Sequence, residues 1–283
     1  MSSEYTYLPQ LHETEVEILD EIVRICEKFG LKYYLIGGTL LGAVRHKGFI
    51  PWDDDLDIVM PRADYEKFCQ LCATQLDEKY YLHSFDTDNS YWLIFAKVRK
   101  RNTLFNEYSI SAIEAPKGIY VDIFPLDNAQ YQDSFEQRFR TRLIKYMSLA
   151  IYQRRGLLVD ISWKGKLASL PFRVFSIPVL TGWQKKLMTK MNDKPCDYYI
   201  NFGSNYNTVK QTIPKYKYEP SARVEFEGKM YDTMMDYTYF LERIYGKDYM
   251  QLPPIEKRIT HKPVAVSFDM VADGLKDSCD EKV

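Results

Sequence analysis

The chain has 283 residues, 46% of them hydrophobic and 15% aromatic, and a formal net charge of -1. That composition excludes intrinsic disorder and allows one large domain or two small ones around a real core. The near-zero charge gives no general electrostatic pull toward nucleic acid, and none is expected as a partner. The apolar stretches stop short of the roughly 18–20 residues that span a bilayer.

Residues 10–29 carry an apolar stripe (Leu11, Ile18, Leu19, Ile22, Ile25) and end at Gly30, which predicts a helix. "KYYLIGG" reads as a short strand closing in two glycines. "TLLGAVRHKG" then reads as a short helix with Thr39 as its N-cap. "LDIVM" is a second strand, residues 62–77 a helix, and 80–84, 91–100 and 118–126 further strands. This alternation predicts an α/β (α+β) fold. Residues 128–190 hold twelve Lys/Arg against three Asp/Glu and read as mostly helical. Residues 196–225, rich in Tyr, Asn and Pro, read as an irregular loop, 231–245 as a last helix, and the tail from about 270 as frayed.

The five cysteines (Cys26, Cys69, Cys72, Cys196 and Cys279) are odd in number and widely spaced. With no basic-then-apolar leader at the N-terminus, a cytoplasmic chain without a disulfide framework is expected. Cys69 and Cys72 fall in a helical segment at i, i+3 and read as a packed pair rather than a metal site.

The chemistry concentrates in "GGTLLGAVRHKGFIPWDDDLDIVM", residues 37–60, where four aspartates fall in five positions beside an apolar run. Buried carboxylates are costly unless paired or bound to a metal, so either the cluster is solvated or a cation belongs there. In a strand, Asp55 and Asp57 share a face while Leu56 and Ile58 point into the core. Such a pair suits a hard divalent cation, Mg²⁺ or Mn²⁺. Asp122 in "YVDIFPL" is a third acid among apolar strand residues. A strand ending in Gly37-Gly38 and opening a helix at Thr39 offers backbone N–H groups to phosphate. Carboxylates for metal and a glycine turn for phosphate suggest a nucleotide-phosphate enzyme.

The same stretch, extended to "MPRADYEKF", closely resembles the LicD family. The resemblance continues through "KVRKRNT", "YVDIFPLD", "FEGKMY", "YGKDYMQLPP" and "THKP", and is weakest over about 130–200. It implies a nucleotidyltransferase-like mixed sheet flanked by helices, with a basic, mostly helical insertion. The implied organisation is a catalytic core over 1–127, the insertion over 128–200, a loop and helix over 201–270 completing the catalytic domain, and a tail over 271–283. The implied activity is metal-dependent transfer of phosphocholine, or a related alcohol phosphate, from CDP-choline or another CDP-alcohol. The acceptor is a hydroxyl of a cell-surface glycan such as teichoic acid or lipopolysaccharide, and CMP is released. Carried onto this chain, Asp55, Asp57 and Asp122 match the catalytic and metal-binding acids, and Gly37 and Gly38 the glycine turn. Asp53 lies in the same motif. His261 in "THKP" also matches.

Alternatives remain at this stage. Nucleotidyl transfer would release diphosphate instead, a nucleotide-sugar glycosyltransferase is a variant, and a catalytically dead scaffold is the third class. Lys97 and Arg99 share a strand face and suit phosphate oxygens, or are surface charge. Thr39 and Arg45 complete the candidate substrate-binding set. Asp122 is read as a functional acid or as a structural partner of Arg99. Trp52 either stacks on a base or packs beside the site. The basic segment is a solvated helical face, or faces an anionic membrane or a polyanionic acceptor. Residues 163–188, with two tryptophans and flanking lysines, suit peripheral contact with the inner face of the membrane.

Overall fold

The computed structural model describes residues 6–258 and 263–275. Helix α1 (Leu8–Phe29) forms where the apolar stripe predicts it and stops at Gly30, whose φ of 64° closes a left-handed cap. Strand β1 (Tyr34–Leu35) leads into α2 (Gly37–His46), then β2 (Asp57–Pro61), α3 (Arg62–Gln75), β3 (Tyr80–His83), β4 (Ala96–Lys100), β5 (Leu104–Glu107) and β6 (Tyr120–Ala129). The basic segment is helical as expected: α4 (Phe135–Arg155), α5 (Trp163–Ser169) and α6 (Ile177–Thr189). The chain continues through β7 (Tyr198–Ile200), β8 (Thr212–Pro214), β9 (Ala222–Phe226), β10 (Lys229–Thr233), α7 (Tyr237–Tyr245) and β11 (Pro263–Ser267).

Two expectations need correction. Residues 196–225 are not one loop: β7, β8 and the start of β9 lie there. The segment read as a helix over 231–245 begins as strand β10, and α7 starts only at Tyr237, where the Asp236 carboxylate caps the Tyr239 N–H.

Among the described residues, nine strands form one mixed sheet, with β3-β4-β6-β2-β1-β10-β9 in order and β7 and β8 extending from β6. Strands β5 and β11 pair separately. Strand β6 lies parallel to β2 and antiparallel to β4. Along β6, Val121 and Ile123 are fully buried, and α1 and α3 pack against this part of the sheet. Residues at the alternate positions, Tyr120 and Asp122, face the other way. Met147, Ala150 and Ile151 of α4 form a second cluster with Tyr91, Trp92, Ile110 and Leu180.

Cys26 and Cys72 are buried free thiols, and Cys69 beside them on α3 is half-buried and also free. Burial pushes the Cys69 thiol up to about 12, which keeps it inert.

Candidate active site

The acidic stretch is held by α2 and α1. A side chain at Gly37 would meet Asp57 Oδ2 at 3.1 Å, and one at Gly38 would meet Asp53 Oδ2 at 2.6 Å. Gly37 also has a φ of +60°. Only glycine therefore lets the N-terminus of α2 press against these two carboxylates, where its partial positive charge favours anions. Thr39 is not the cap of this helix. Its buried Oγ1 accepts a 2.8 Å hydrogen bond from the Asp57 N–H, which fixes the first residue of β2. His12 of α1 donates from Nε2 to the Asp53 carbonyl at 2.8 Å, with its ring stacked on Phe49. Asp55 precedes β2 rather than lying in it, while Leu56 and Ile58 are fully buried as expected.

The sheet then sets four polar side chains in one row. His83 lies opposite Lys97, Lys97 opposite Asp122, and Asp122 opposite Asp57, across β3, β4, β6 and β2. Lys97 Nζ pairs with Asp122 Oδ1 at 2.7 Å and sits 3.2 Å above the Tyr120 ring. The structural partner of Asp122 is thus Lys97, not Arg99. Arg99 is fully buried, donating Nε to His83 Nδ1 at 3.1 Å and Nη1 to the Gly118 carbonyl at 2.7 Å. Its Nη2 has no hydrogen-bond partner among the described residues.

Negative charge outruns compensation here. Burial, then repulsion from Asp55 and Asp122, holds the Asp57 carboxyl well above the usual range. Burial pushes Asp122 up to about 6 against the pull of Lys97. Glu15 of α1 is raised by burial and then by Asp55. Buried carboxylates crowded in this way are hard oxygen donors suited to a divalent cation. Among the described residues no three acidic, histidine or cysteine side chains form a ready-made cage, and the Lys97 pair draws on Asp122. The donors fit in kind, with Asp55 and Asp57 as the core pair.

These groups line a cavity of about 590 Å³, which includes Asp55, Asp57, Asp122, Gly37, Gly38, Lys97 and Arg99. Its walls belong to two hydrophobic clusters. At one end Ile36, Leu41, Ile50 and α7 residues Phe240 and Ile244 come from the main core; at the other, Trp92, Ile110, Tyr152 and Leu157 come from the α4 cluster. Asp53, Trp52, Glu107, Tyr206 and Tyr245 also line it. Sequence reasoning left Glu107, Tyr206 and Tyr245 out, because they reach the site from β5, the loop after β7 and α7. Trp52 packs under the Arg258 guanidinium at 4.3 Å. Thr39 and Arg45 do not line the cavity. Arg45 donates Nη1 to the carbonyls of Tyr249 and Gln251 at 3.0 and 3.2 Å, tying down the segment after α7. His261 lies outside the described residues.

His83 gives a pH test of this frame. Arg99 has only donors, so His83 Nδ1 accepts, and Nε2–H donates to Asp88 at 3.2 Å. Burial lowers its pKa to about 4, against the Asp88 pull. The folded value lies below the unfolded one near 6.5, so the unfolded state binds more protons between them. Stability is untouched above about pH 6.5 and falls by about 3 kcal/mol as pH drops to 4. Denaturant titrations of wild type and His83→Gln from pH 7 to 4 are expected to diverge in slope, the variant being flatter. Parallel slopes would reject the neutral-histidine assignment.

The sequence pattern of the family described as "LicD/FKTN/FKRP, nucleotidyltransferase domain" matches residues 30–179. Over 255 residues the chain is 32% identical to the lipopolysaccharide cholinephosphotransferase LicD of Haemophilus influenzae, covering 87% of this chain and 92% of that protein. The chain belongs to the LicD family. A shorter match of 37 residues, 51% identical, joins it to the human ribitol 5-phosphate transferase FKRP, covering 13% of this chain and 8% of that one. An uncharacterised protein of Rickettsia prowazekii is 39% identical over 70 residues, 25% of this chain and 26% of its own. The named relatives make this LicD-family chain a phosphotransferase enzyme. No helix among the described residues is long and apolar enough to cross a membrane.

Proposed function

We propose that this protein transfers phosphocholine from CDP-choline to a hydroxyl of a cell-surface glycan, lipopolysaccharide or teichoic acid, and releases CMP. The observation that carries this reading is the joining of the Asp55, Asp57 and Asp122 carboxylates and the Gly37-Gly38 turn in one cavity, with Lys97 and Arg99 in its lining. The likeness to a cholinephosphotransferase supports the choice of headgroup. Asp55 and Asp57, with Asp122 as a third acid, would hold Mg²⁺ or Mn²⁺, which would supply charge neutralisation at the diphosphate.

The chain's own groups do the rest. The amides opening α2 at Gly37 and Gly38 bind one phosphate, and Arg99, buried in the cavity lining, adds positive charge behind the other. Lys97 orients Asp122, whose carboxyl, near 6, accepts the proton of the attacking hydroxyl. The acceptor oxygen bonds to the choline-bearing phosphorus as the bridging P–O bond breaks, and CMP leaves with that electron pair. Trp52, Tyr206 and Tyr245 form the end for the base. Tyr152 offers an aromatic face to the quaternary ammonium.

The matching family is described as a nucleotidyltransferase domain, so product identity is the deciding test. Purified protein with CDP-choline, Mg²⁺ or Mn²⁺ and a cell-wall glycan extract is expected to release CMP. Release of diphosphate from a nucleoside triphosphate instead would establish nucleotidyl transfer. CMP from CDP-ribitol or CDP-glycerol alone would keep the mechanism and change the alcohol.

The helical segment supports a peripheral site on the inner face of the membrane. Trp163, Leu167 and Val174 are 70%, 60% and 79% exposed, and Phe175 and Trp183 pack edge to face beside them. Lys164, Lys166 and Lys186 neighbour these apolar side chains in sequence, whereas Lys185 pairs with Asp86. Apolar insertion and attraction to acidic headgroups then act together. The protein is expected to float with phosphatidylglycerol vesicles at low salt, and Trp163→Ser with Leu167→Ser to reduce it. No flotation of the wild type rejects the contact.

A further inference from the structure

Helix α4 has two working faces. Gln137, Arg140, Ile144, Met147 and Ile151 are buried, and Arg140 and Gln184 tie α4 to α6 by hydrogen bonds to the Leu187 and Ile144 carbonyls. The other face, Arg138, Thr141, Arg142, Lys145, Ser148 and Tyr152, recurs at helical spacing and lines a second cavity of about 760 Å³. Residues of the 201–209 segment, including Asn205, Asn207 and Thr208, form its opposite wall. From Arg138 to Tyr152 the helix runs about 21 Å.

This groove ends at the catalytic cavity. Tyr152, Phe95, Asn201, Ser204 and Tyr206 line both, so the two adjoin along one shared wall. The groove lining is chemically unlike the aspartate site. Amide and hydroxyl side chains match the donor and acceptor pattern of sugar hydroxyls. Arg138 is paired with Asp133, whereas Arg142 and Lys145 are exposed and have no acidic partner among the described residues. Two uncompensated cations in a polar groove suit phosphate or carboxylate groups carried on a saccharide.

Building on the transferase reading, we propose that this second groove holds the acceptor as an anionic oligosaccharide, bringing its hydroxyl past Tyr152 toward Asp122. Arg142 and Lys145 read the anionic groups, and the 201–209 segment reads the sugar hydroxyls. The basic character of the insertion is then a recognition surface rather than a solvated face.

The test uses the full chain and the phosphorylated core oligosaccharide released from lipopolysaccharide by mild acid, before and after chemical dephosphorylation. Binding is measured by calorimetry without donor, for wild type and for Arg142→Ala/Lys145→Ala. The double variant is expected to bind the phosphorylated form roughly tenfold or more weakly, and the dephosphorylated form no more weakly than wild type does. In turnover, KM for the acceptor rises while KM for CDP-choline and its slow hydrolysis to CMP stay fixed. Arg142→Lys/Lys145→Arg restores binding. Equal binding by wild type and the Ala variant overturns the proposal, as does equal loss for both forms of the glycan. Tighter binding of a single-stranded 20-nucleotide RNA that needs the same two residues would also overturn it. Failure of the transferase reading looks different: no CMP from any CDP-alcohol, with the calorimetry unchanged.

Discussion

Asp57→Asn is expected to abolish transfer and to raise the melting temperature of the metal-free protein. Both effects have one cause. Asp57 faces Asp122 across the β2–β6 pair, and Asp55 stands two residues before it. Removing one charge relieves repulsion that burial strengthens. On the proposed mechanism the same charge would hold the cation. A cation neutralising the transferring phosphate supplies several kcal/mol at the transition state, so kcat is expected to fall roughly a thousandfold or more. Mg²⁺ titrated into a thermal melt is expected to stabilise wild type and not the variant. Equal stabilisation of both would remove Asp57 from the metal site. A variant that melts lower than wild type would show that the carboxylate serves structure.

Arg99→Lys is the second large effect. The guanidinium is fully buried and satisfies His83 Nδ1 and the Gly118 carbonyl with two of its arms. The third arm is the orphan Nη2. Lysine keeps the charge and loses the fork, so it cannot serve both acceptors and hold its charge behind the phosphate. A charge-assisted hydrogen bond contributes about 1.5–3 kcal/mol, which converts to a loss of roughly 10- to 150-fold in kcat/KM for CDP-choline. The His83 ring, freed from the Nε donor, is expected to titrate higher, which an imidazole proton NMR titration reads directly. A variant within about threefold of wild type would place Arg99 in the frame alone.

Much of this site is legible in one stretch. Residues 37–60 carry α2, its glycines and the acid cluster contiguously, so local rules suffice. Asp122 stands out because a charge amid Val121, Ile123 and Phe124 demands a reason. Which strand lies beside it is a non-local fact. No local rule says that β6 sits between β4 and β2, or that Lys97 rather than Arg99 takes Asp122. Short strands fared worst. β7 and β8 have three residues each, too few for a period-2 signal against their Tyr, Asn and Pro background. The "MYDTMMDYTYF" run supports both periods, and the Asp236 cap decides where strand gives way to helix. Thr39 looked like a cap because its type and place fit one; the strand beside it claimed the hydroxyl instead.

The pairing of β1 with β10 has a consequence for how the chain is made. The row that ends at Asp57 is translated by residue 122, but β1 has its far-side neighbour only once Thr233 has emerged to meet Leu35. At ordinary ribosome speeds, the intervening stretch of roughly a hundred residues takes on the order of 5–20 s to appear. Throughout that interval β1 has an open edge, but at two residues it is too short to template pairing with another chain. Ribosome stalling or truncation between residues 130 and 230 therefore leaves a fragment without α7, whose Phe240, Ile244 and Tyr245 line the cavity, and so an incomplete site rather than a slower enzyme.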